Sequence, residues 1–295
     1  MNMPDQDQVR KPLLGIIFIT LAFLGYAIMS GFVKACSLAA LPSQEIMFFQ
    51  VLVALLVLSP WFIKYAGQEL VPKNKWLTAG RAIFGLLSFY LFFVAVKLVP
   101  LVNAVLLQNT TPFFIPLLGL ILLRKKIALR VWATIAVGFI GVILVLNPGQ
   151  GFLRMGNIIA LAAGLCSAVT TIIVGRLENK GESAQTILLY FLAITILITG
   201  LWSIPVWKTP HGIFWIYLAG AGVLFAAFQI LFMLALKFAS AITIAPFIYL
   251  VVIFSGVVDW MVWHQIPHLM TVVGAVIVIA SAILSTFPRA RSSTS

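Results

Sequence analysis

The chain is poor in charge, poorer still in acid, and nearly without cysteine. Of its 295 residues only 9% are charged and only 7 are Asp or Glu. Soluble domains hold about a quarter charged residues and about half apolar ones, whereas this chain is 62% hydrophobic with a mean hydropathy of +1.13. A water-solvated globule is excluded, so lipid must be the solvent. The sequence has no acidic pair that could serve as a hydrolytic centre, no P-loop, no GxSxG elbow and no HExxH motif. Cys36 and Cys166 form neither a CxxC pair nor a metal cluster and read as packing residues. His264 and His268 stand four apart, but Pro267 lies between them, so no metal site is expected and no cofactor is implied.

What is present is a series of long apolar runs. A helix needs about 20 apolar residues to cross a hydrocarbon layer of about 30 Å. Ten candidates stand between polar, Pro or Gly punctuation, at 13–33, 44–63, 76–96, 101–123, 131–147, 155–175, 185–206, 213–236, 241–262 and 269–287. At this apolarity the expected fold is all-α, because only helices satisfy their own backbone in lipid. The first run follows a polar dozen without a small-residue cleavage site and reads as a retained span.

The net charge of +12 would suggest nucleic acid in a soluble protein, but the basic residues sit in short gaps between runs, and membrane topology explains them better. With the N-terminus inside, 15 of the 19 basic residues are cytoplasmic, all but Lys34, Lys97, Arg154 and Lys208. Both termini are therefore expected in the cytoplasm, and no nucleic-acid partner is expected.

The layout repeats. Sliding Phe92–Pro148 by 140 residues onto Phe232–Pro288 superposes Ala95 on Ala235, Lys97 on Lys237 and Pro148 on Pro288, with lysines and prolines at the same ends of apolar segments. Gly15, Ala22 and Ala27 similarly match Gly156, Ala163 and Ala168. Five spans per half is odd, so the second half enters from the opposite face. The expected architecture is two inverted five-helix repeats, at 13–147 and 155–287, between cytoplasmic tails at 1–12 and 288–295. Within the sixth run Gly156, Ala160, Gly164 and Ala168 recur every four residues, a smooth seam suited to helix packing or to sliding.

Polar residues deep in a span are costly and should face protein or a water-filled cavity. The fourth run is richest, with Gln108, Asn109, Thr110 and Thr111 just before Pro112. Asn109 lies about 12 Å from the start of its run at 1.5 Å per residue. Pro112 and Pro116 would each free a carbonyl for a ligand or for flexing, unless the threonines bond back and satisfy the kink. At the repeat-related position sits Tyr249, just after Pro246. Asn109 and Tyr249 are the first candidates for a shared substrate site. Ser88, Tyr90 and Gln229 lie at middle depths, Tyr26, Ser30 and Gln50 towards the outside, and Tyr190 aligns with Gln50. Any single one of these is more often a helix–helix hydrogen bond than a ligand contact.

Three charged residues are candidates for gating or coupling. Asp259 lies late in the ninth run between Trp260 and Trp263, and is either a proton-coupling carboxylate or an interfacial acid paired with Lys34 or Lys97. Glu45 complements the positive start of the second helix with Ser43 as its cap, or binds a substrate amine. Arg81 either snorkels to the cytoplasmic face or serves as an inner gate or anion contact.

Ala95-Val96-Lys97, Ala235-Leu236-Lys237, Asn103-Ala104, the run Asn109–Leu118 and Gly138–Val142 together make the chain resemble the EamA-like branch of the drug/metabolite transporter superfamily over nearly its whole length. The resemblance implies a secondary or facilitative transporter of a small polar or amphipathic metabolite, such as an amino acid or nucleoside-like compound, working by alternating access in a bacterial-type inner membrane. The expected partners are a small-molecule substrate and the lipid bilayer, with a homodimer left open. Ala245–Leu250, with Glu45 ahead of Phe48-Phe49, is similar to members that move S-adenosylmethionine-like compounds. Gln50 stands where many relatives carry Arg, and Lys125 and His264 where they often carry Glu, which weakens any inherited arginine–carboxylate substrate contact. The alternatives from other classes are a membrane-embedded lipid-modifying enzyme and a non-transporting scaffold.

Overall fold

A computed structural model describes residues 12–64, 71–123, 129–146, 155–239 and 244–286. Among these residues there is helix and no strand. The helices are α1 (Pro12–Leu38), α2 (Ser43–Lys64), α3 (Lys75–Leu98), α4 (Leu101–Gln108), α5 (Thr111–Leu123), α6 (Leu129–Leu146), α7 (Met155–Asn179), α8 (Ala184–Ser203), α9 (Phe214–Phe238), α10 (Leu250–Trp263) and α11 (Leu269–Thr286). A 3-10 turn, Ile204–Val206, extends α8, and another, Ala245–Tyr249, leads into α10.

Seven passages are long and apolar enough to cross a membrane: 12–38, 43–64, 75–98, 101–120, 155–179, 184–206 and 214–238. Shorter apolar helices cover Ile135–Val145, Phe247–Trp263 and Leu269–Ser281. Large apolar side chains on the outside, such as Leu56, Ile63, Leu197 and Met261, are more than 60% exposed, which suits a surface solvated by lipid. The basic turn Arg124–Lys126 and both chain ends lie outside the described residues.

The packing pairs elements of one half with elements of the other. α1 lies along α9, α3 along α7, and α6 along α11. Glycine sets the closest crossings. A Cβ on Gly15 would collide with Ala239 Cβ, and one on Gly156 would lie 2.7 Å from Leu98 Cβ and from a Val99 side-chain methyl. Val99 and Ala239, 140 residues apart, end their helices alike: both are extended, and each donates its N–H to the carbonyl four residues back, Ala95 and Ala235. α6 and α11 cross reciprocally, with a Cβ on Gly141 at 2.8 Å from the Gly274 carbonyl and one on Gly274 at 2.6 Å from the Gly141 carbonyl. The seam expected on α7 is a packing face: Gly156, Ala160, Gly164 and Ala168 are all buried.

The fourth passage is broken rather than kinked. α4 ends at Gln108, Asn109 and Thr110 form a turn, and α5 starts at Thr111. Pro112 is therefore in the first turn of α5, where its missing N–H removes no bond the helix would make, and of this pair Pro116 alone lies inside the helix. The break fits against α7, because a Cβ on Gly164 would stand 2.8 Å from the Leu107 carbonyl and 3.0 Å from that of Gln108. Pro246 falls within the 3-10 turn before α10, so the ninth passage is irregular near the related position.

Candidate functional site

The two ends of the bundle differ. At one end meet the C-terminus of α1, the N-terminus of α4 and the C-terminus of α10. Lys34 Nζ lies 2.6 Å from Asp259 Oδ1, and the two side chains are 3% and 0% exposed. Asp259 Oδ2 accepts from the Val102 backbone N–H at 3.0 Å, a free donor at the start of α4, where the helix dipole favours a negative charge. Lys34 also donates to Gln265 Oε1 at 3.1 Å and stands 4.4 Å from the centre of the Trp263 ring. Of the two partners expected for Asp259, the structure joins it to Lys34.

Glu45 is buried beside this end, in the first turn of α2. Its Oε2 accepts from the Lys208 backbone N–H at 3.0 Å, while Oε1 is buried without a partner among the described residues. The expected Ser43 cap does not form. The Pro42 carbonyl accepts from both Glu45 and Ile46, so the helix has already begun at Ser43.

In the middle, Tyr26 donates to Gln108 Oε1 at 3.1 Å, joining α1 to α4. Ser88 donates to the Ala163 carbonyl at 2.9 Å, and Thr111 to those of Gln108 at 3.1 Å and Gly164 at 3.2 Å. Asn109 bonds back to the Val105 carbonyl, Thr110 to that of Leu107 and Ser30 to that of Tyr26. Much of the expected polar cluster thus satisfies helix ends and helix crossings. Asn109 and Tyr249 share no hydrogen bond. The Tyr249 hydroxyl is buried without a partner among the described residues, as is Gln50 Oε1, whose amide nitrogen donates to Met29 Sδ at 3.1 Å. Tyr90 lies tilted against Trp202 with ring centres 4.6 Å apart, and Tyr190 is half-buried. Pro246's side chain lies outside the described residues.

At the opposite end, α3, α7, α8 and α9 enclose a cavity of about 240 Å³ lined by Arg81, Glu178 and Gln229 among apolar side chains. Arg81 does not snorkel. Its guanidinium lies 3.9 Å from the centre of the Phe191 ring, and Nη1 sits 2.7 Å from where a Cβ on Gly85 would be, one turn further into the helix. A snorkelling side chain would run the other way, since Cα–Cβ bonds lean towards a helix's N-terminus. A larger cavity of about 400 Å³ lies between α1, α9 and α10, walled by apolar and aromatic side chains, and its exposed Leu24, Ile28, Val257 and Met261 suit lipid rather than a polar solute.

Sequence reasoning missed Gln265, Phe191 and Glu178. Gly85, four residues after Arg81, was the available signal, because a missing side chain one turn away leaves room for a guanidinium. Among the described residues no group of His, Cys, Asp and Glu is arranged to hold a metal, and both cysteines are free.

Comparison with known proteins bears on this geometry. The EamA-like transporter family model matches residues 13–147 and again 154–287. The chain is 24% identical over 275 residues to the pseudopaline exporter CntI of Pseudomonas aeruginosa, covering 91% of this chain and 94% of that one. It is 26% identical over 277 residues to a riboflavin transporter of Vibrio cholerae, covering 92% of each chain. It is 23% identical over 291 residues to an S-adenosylmethionine uptake transporter of Rickettsia prowazekii, covering 98% of each. A crystal structure 17% identical in sequence superposes with a TM-score of 0.60 over 92% of this chain and 94% of that one, which shows a shared fold. The chain belongs to the EamA-like transporter family, and is a multi-pass membrane transporter rather than an enzyme.

Proposed function

We propose that the chain carries a small polar or amphipathic metabolite, of amino acid or nucleoside-like character, across a bacterial inner membrane by alternating access. The observation that carries this reading is the unlike state of the two ends. One end is closed by the Lys34–Asp259 pair and its link to Val102, while the other holds a cavity with a guanidinium in its wall. A carrier caught with one face shut and the other accessible has this form.

In this reading the ten passages are two inverted five-helix repeats, 13–147 and 155–287, with both termini cytoplasmic. The matched helix ends at Val99 and Ala239 and the reciprocal Gly141–Gly274 crossing support it. The closed end is then the outer face and Asp259 is a gating residue. The positions related by the repeat, Gly175 for Lys34 and Gly119 for Asp259, carry no charge and have open space around a Cβ. The inner face therefore lacks the matching latch. The substrate path runs past the α4–α5 break with Gln108, Asn109, Thr110 and Thr111, and past Tyr26, Gln50, Gln229 and Tyr249. The unbonded Tyr249 hydroxyl and Gln50 Oε1 are buried atoms with hydrogen-bonding capacity left for a ligand, as are Thr195 Oγ1 and Ser255 Oγ. Relatives named as a pseudopaline exporter, a riboflavin transporter and an S-adenosylmethionine uptake transporter support carriage of a small metabolite.

Uptake into proteoliposomes tests the reading. A panel of amino acids, nucleosides and quaternary amines should contain a substrate with saturable flux, reduced by Asn109→Ala and Tyr249→Ala in protein that still folds. Full flux in both variants removes the midspan site, and no saturable flux for any panel member overturns the carrier reading.

A further inference from the structure

Among the described residues Arg81 is a cation set into the bundle without an ion-pair partner. Nε and Nη1 are buried with no hydrogen-bond partner among the described residues, and no described carboxylate lies within ion-pair distance of the guanidinium. A guanidinium never deprotonates at ordinary pH, and isolating a charge from water is expensive unless an anion or strong acceptor meets it. The Phe191 ring at 3.9 Å supplies a flat platform and part of the compensation, but a ring accepts no conventional hydrogen bond. Gly85 keeps the guanidinium turned into the bundle, and Gln229 on α9 carries a second polar group to the same cavity. Phe232, Met233 and Leu236 give the remaining wall an apolar character. Glu178, on α7, is exposed on the cavity's lining.

We propose that this cavity is a carboxylate-binding subsite: Arg81, backed by Phe191 and Gly85, receives the carboxylate of a small amphipathic organic acid, and Gln229 hydrogen-bonds beside it. The inference rests on the carrier reading above and adds to it the chemical class of the cargo. The apolar wall takes the body of the molecule, and a zwitterion would turn its ammonium group towards Glu178. At about 240 Å³ the cavity falls below the roughly 300–1,000 Å³ of drug-sized sites, which sets the cargo near amino-acid size. Arg81 touches the ligand rather than acting through another residue, so the carboxylate itself, not the overall shape of the molecule, decides recognition.

The test is a thermal-shift titration of the full-length protein in phosphatidylcholine nanodiscs, since a ligand bound to the folded state raises its unfolding temperature. The probes are phenylalanine, glutamate and phenylacetate, each against the derivative in which every carboxylate is an amide, with inorganic phosphate and added phosphatidylglycerol as separate arms. The expected result is a shift of several degrees with at least one carboxylate and none with its amide. Arg81→Gln abolishes that shift and Arg81→Lys retains part of it. Gly85→Ala, which keeps the arginine but displaces its Nη1, weakens apparent affinity tenfold or more and stands in if Arg81→Gln does not fold. A carboxylate shift that persists in Arg81→Gln or at full strength in Gly85→Ala overturns the proposal. So does a shift with phosphate or phosphatidylglycerol alone, or no shift with any carboxylate. Saturable flux of an uncharged solute that survives Arg81→Gln would sink this subsite while leaving the carrier reading intact.

Discussion

Lys34 and Asp259, 225 residues apart in sequence, form a 2.6 Å ion pair that is almost wholly buried and ties α1 to α10. The second oxygen of Asp259 holds the start of α4, so one carboxylate fastens three helices at one end of the bundle.

Removing either partner leaves the other charge buried and unpaired, a change that costs about 3–5 kcal/mol. Asp259→Leu and Lys34→Met should each lower the thermal unfolding midpoint strongly, and the two combined should recover much of the loss. A double-mutant cycle in detergent or nanodiscs measures the coupling. Strictly additive losses would contradict the pairing as drawn here.

Gly141 and Gly274 let α6 and α11 approach to backbone contact, so a methyl on either meets the other's carbonyl at under 3 Å. Gly141→Ala or Gly274→Ala should cost about 1–3 kcal/mol through overpacking. Gly119→Ala and Gly175→Ala meet nothing within 4 Å and should be neutral or gain up to about 1 kcal/mol from helix propensity. Chemical or thermal denaturation of the four variants checks the contrast, and equal effects at all four positions would refute it.

Tyr249→Phe and Tyr26→Phe should separate ligand contact from structure. The Tyr249 hydroxyl has no partner among the described residues, so its removal should leave stability unchanged or slightly raised while flux falls. The Tyr26 hydroxyl donates to Gln108, so its loss should cost about 1 kcal/mol of stability as well. Parallel melting and transport assays decide. Undiminished flux in Tyr249→Phe would remove that hydroxyl from the substrate path.

Single cysteines placed in 1–12 and in 288–295, with Cys36 and Cys166 replaced, should react with an impermeant maleimide only from the cytoplasmic face. Labelling of the two ends from opposite faces would break the inverted arrangement, because ten passages must return the chain to its starting side.

Much of the packing was legible because it follows from repetition. The 140-residue slide that aligned Ala95 with Ala235 also aligns the helix ends Val99 and Ala239, whose N–H groups their carbonyls accept, and the aligned Gly15 and Gly156 each lie against the last turn of a helix in the other half. The break at Asn109–Thr110 was legible only as a kink. A proline marks where a helix is weakened, but whether the chain starts a new helix there depends on what packs against the gap, here Gly164 of α7. Snorkelling stayed open for Arg81 beside the inner-gate reading because an isolated helix offers it nothing better than the membrane surface. Phe191 and the space above Gly85 belong to the assembled bundle.

The sequence by itself determined that the chain is a lipid-solvated helical bundle with a repeated layout, since hydropathy, segment length and small-residue spacing act within one helix or between copies of one pattern. Only the tertiary structure decided which charges meet. Asp259 had two lysines to choose from and Arg81 two directions to point, and those choices rest on contacts between helices distant in sequence, where burial makes a partner's position matter more than its identity.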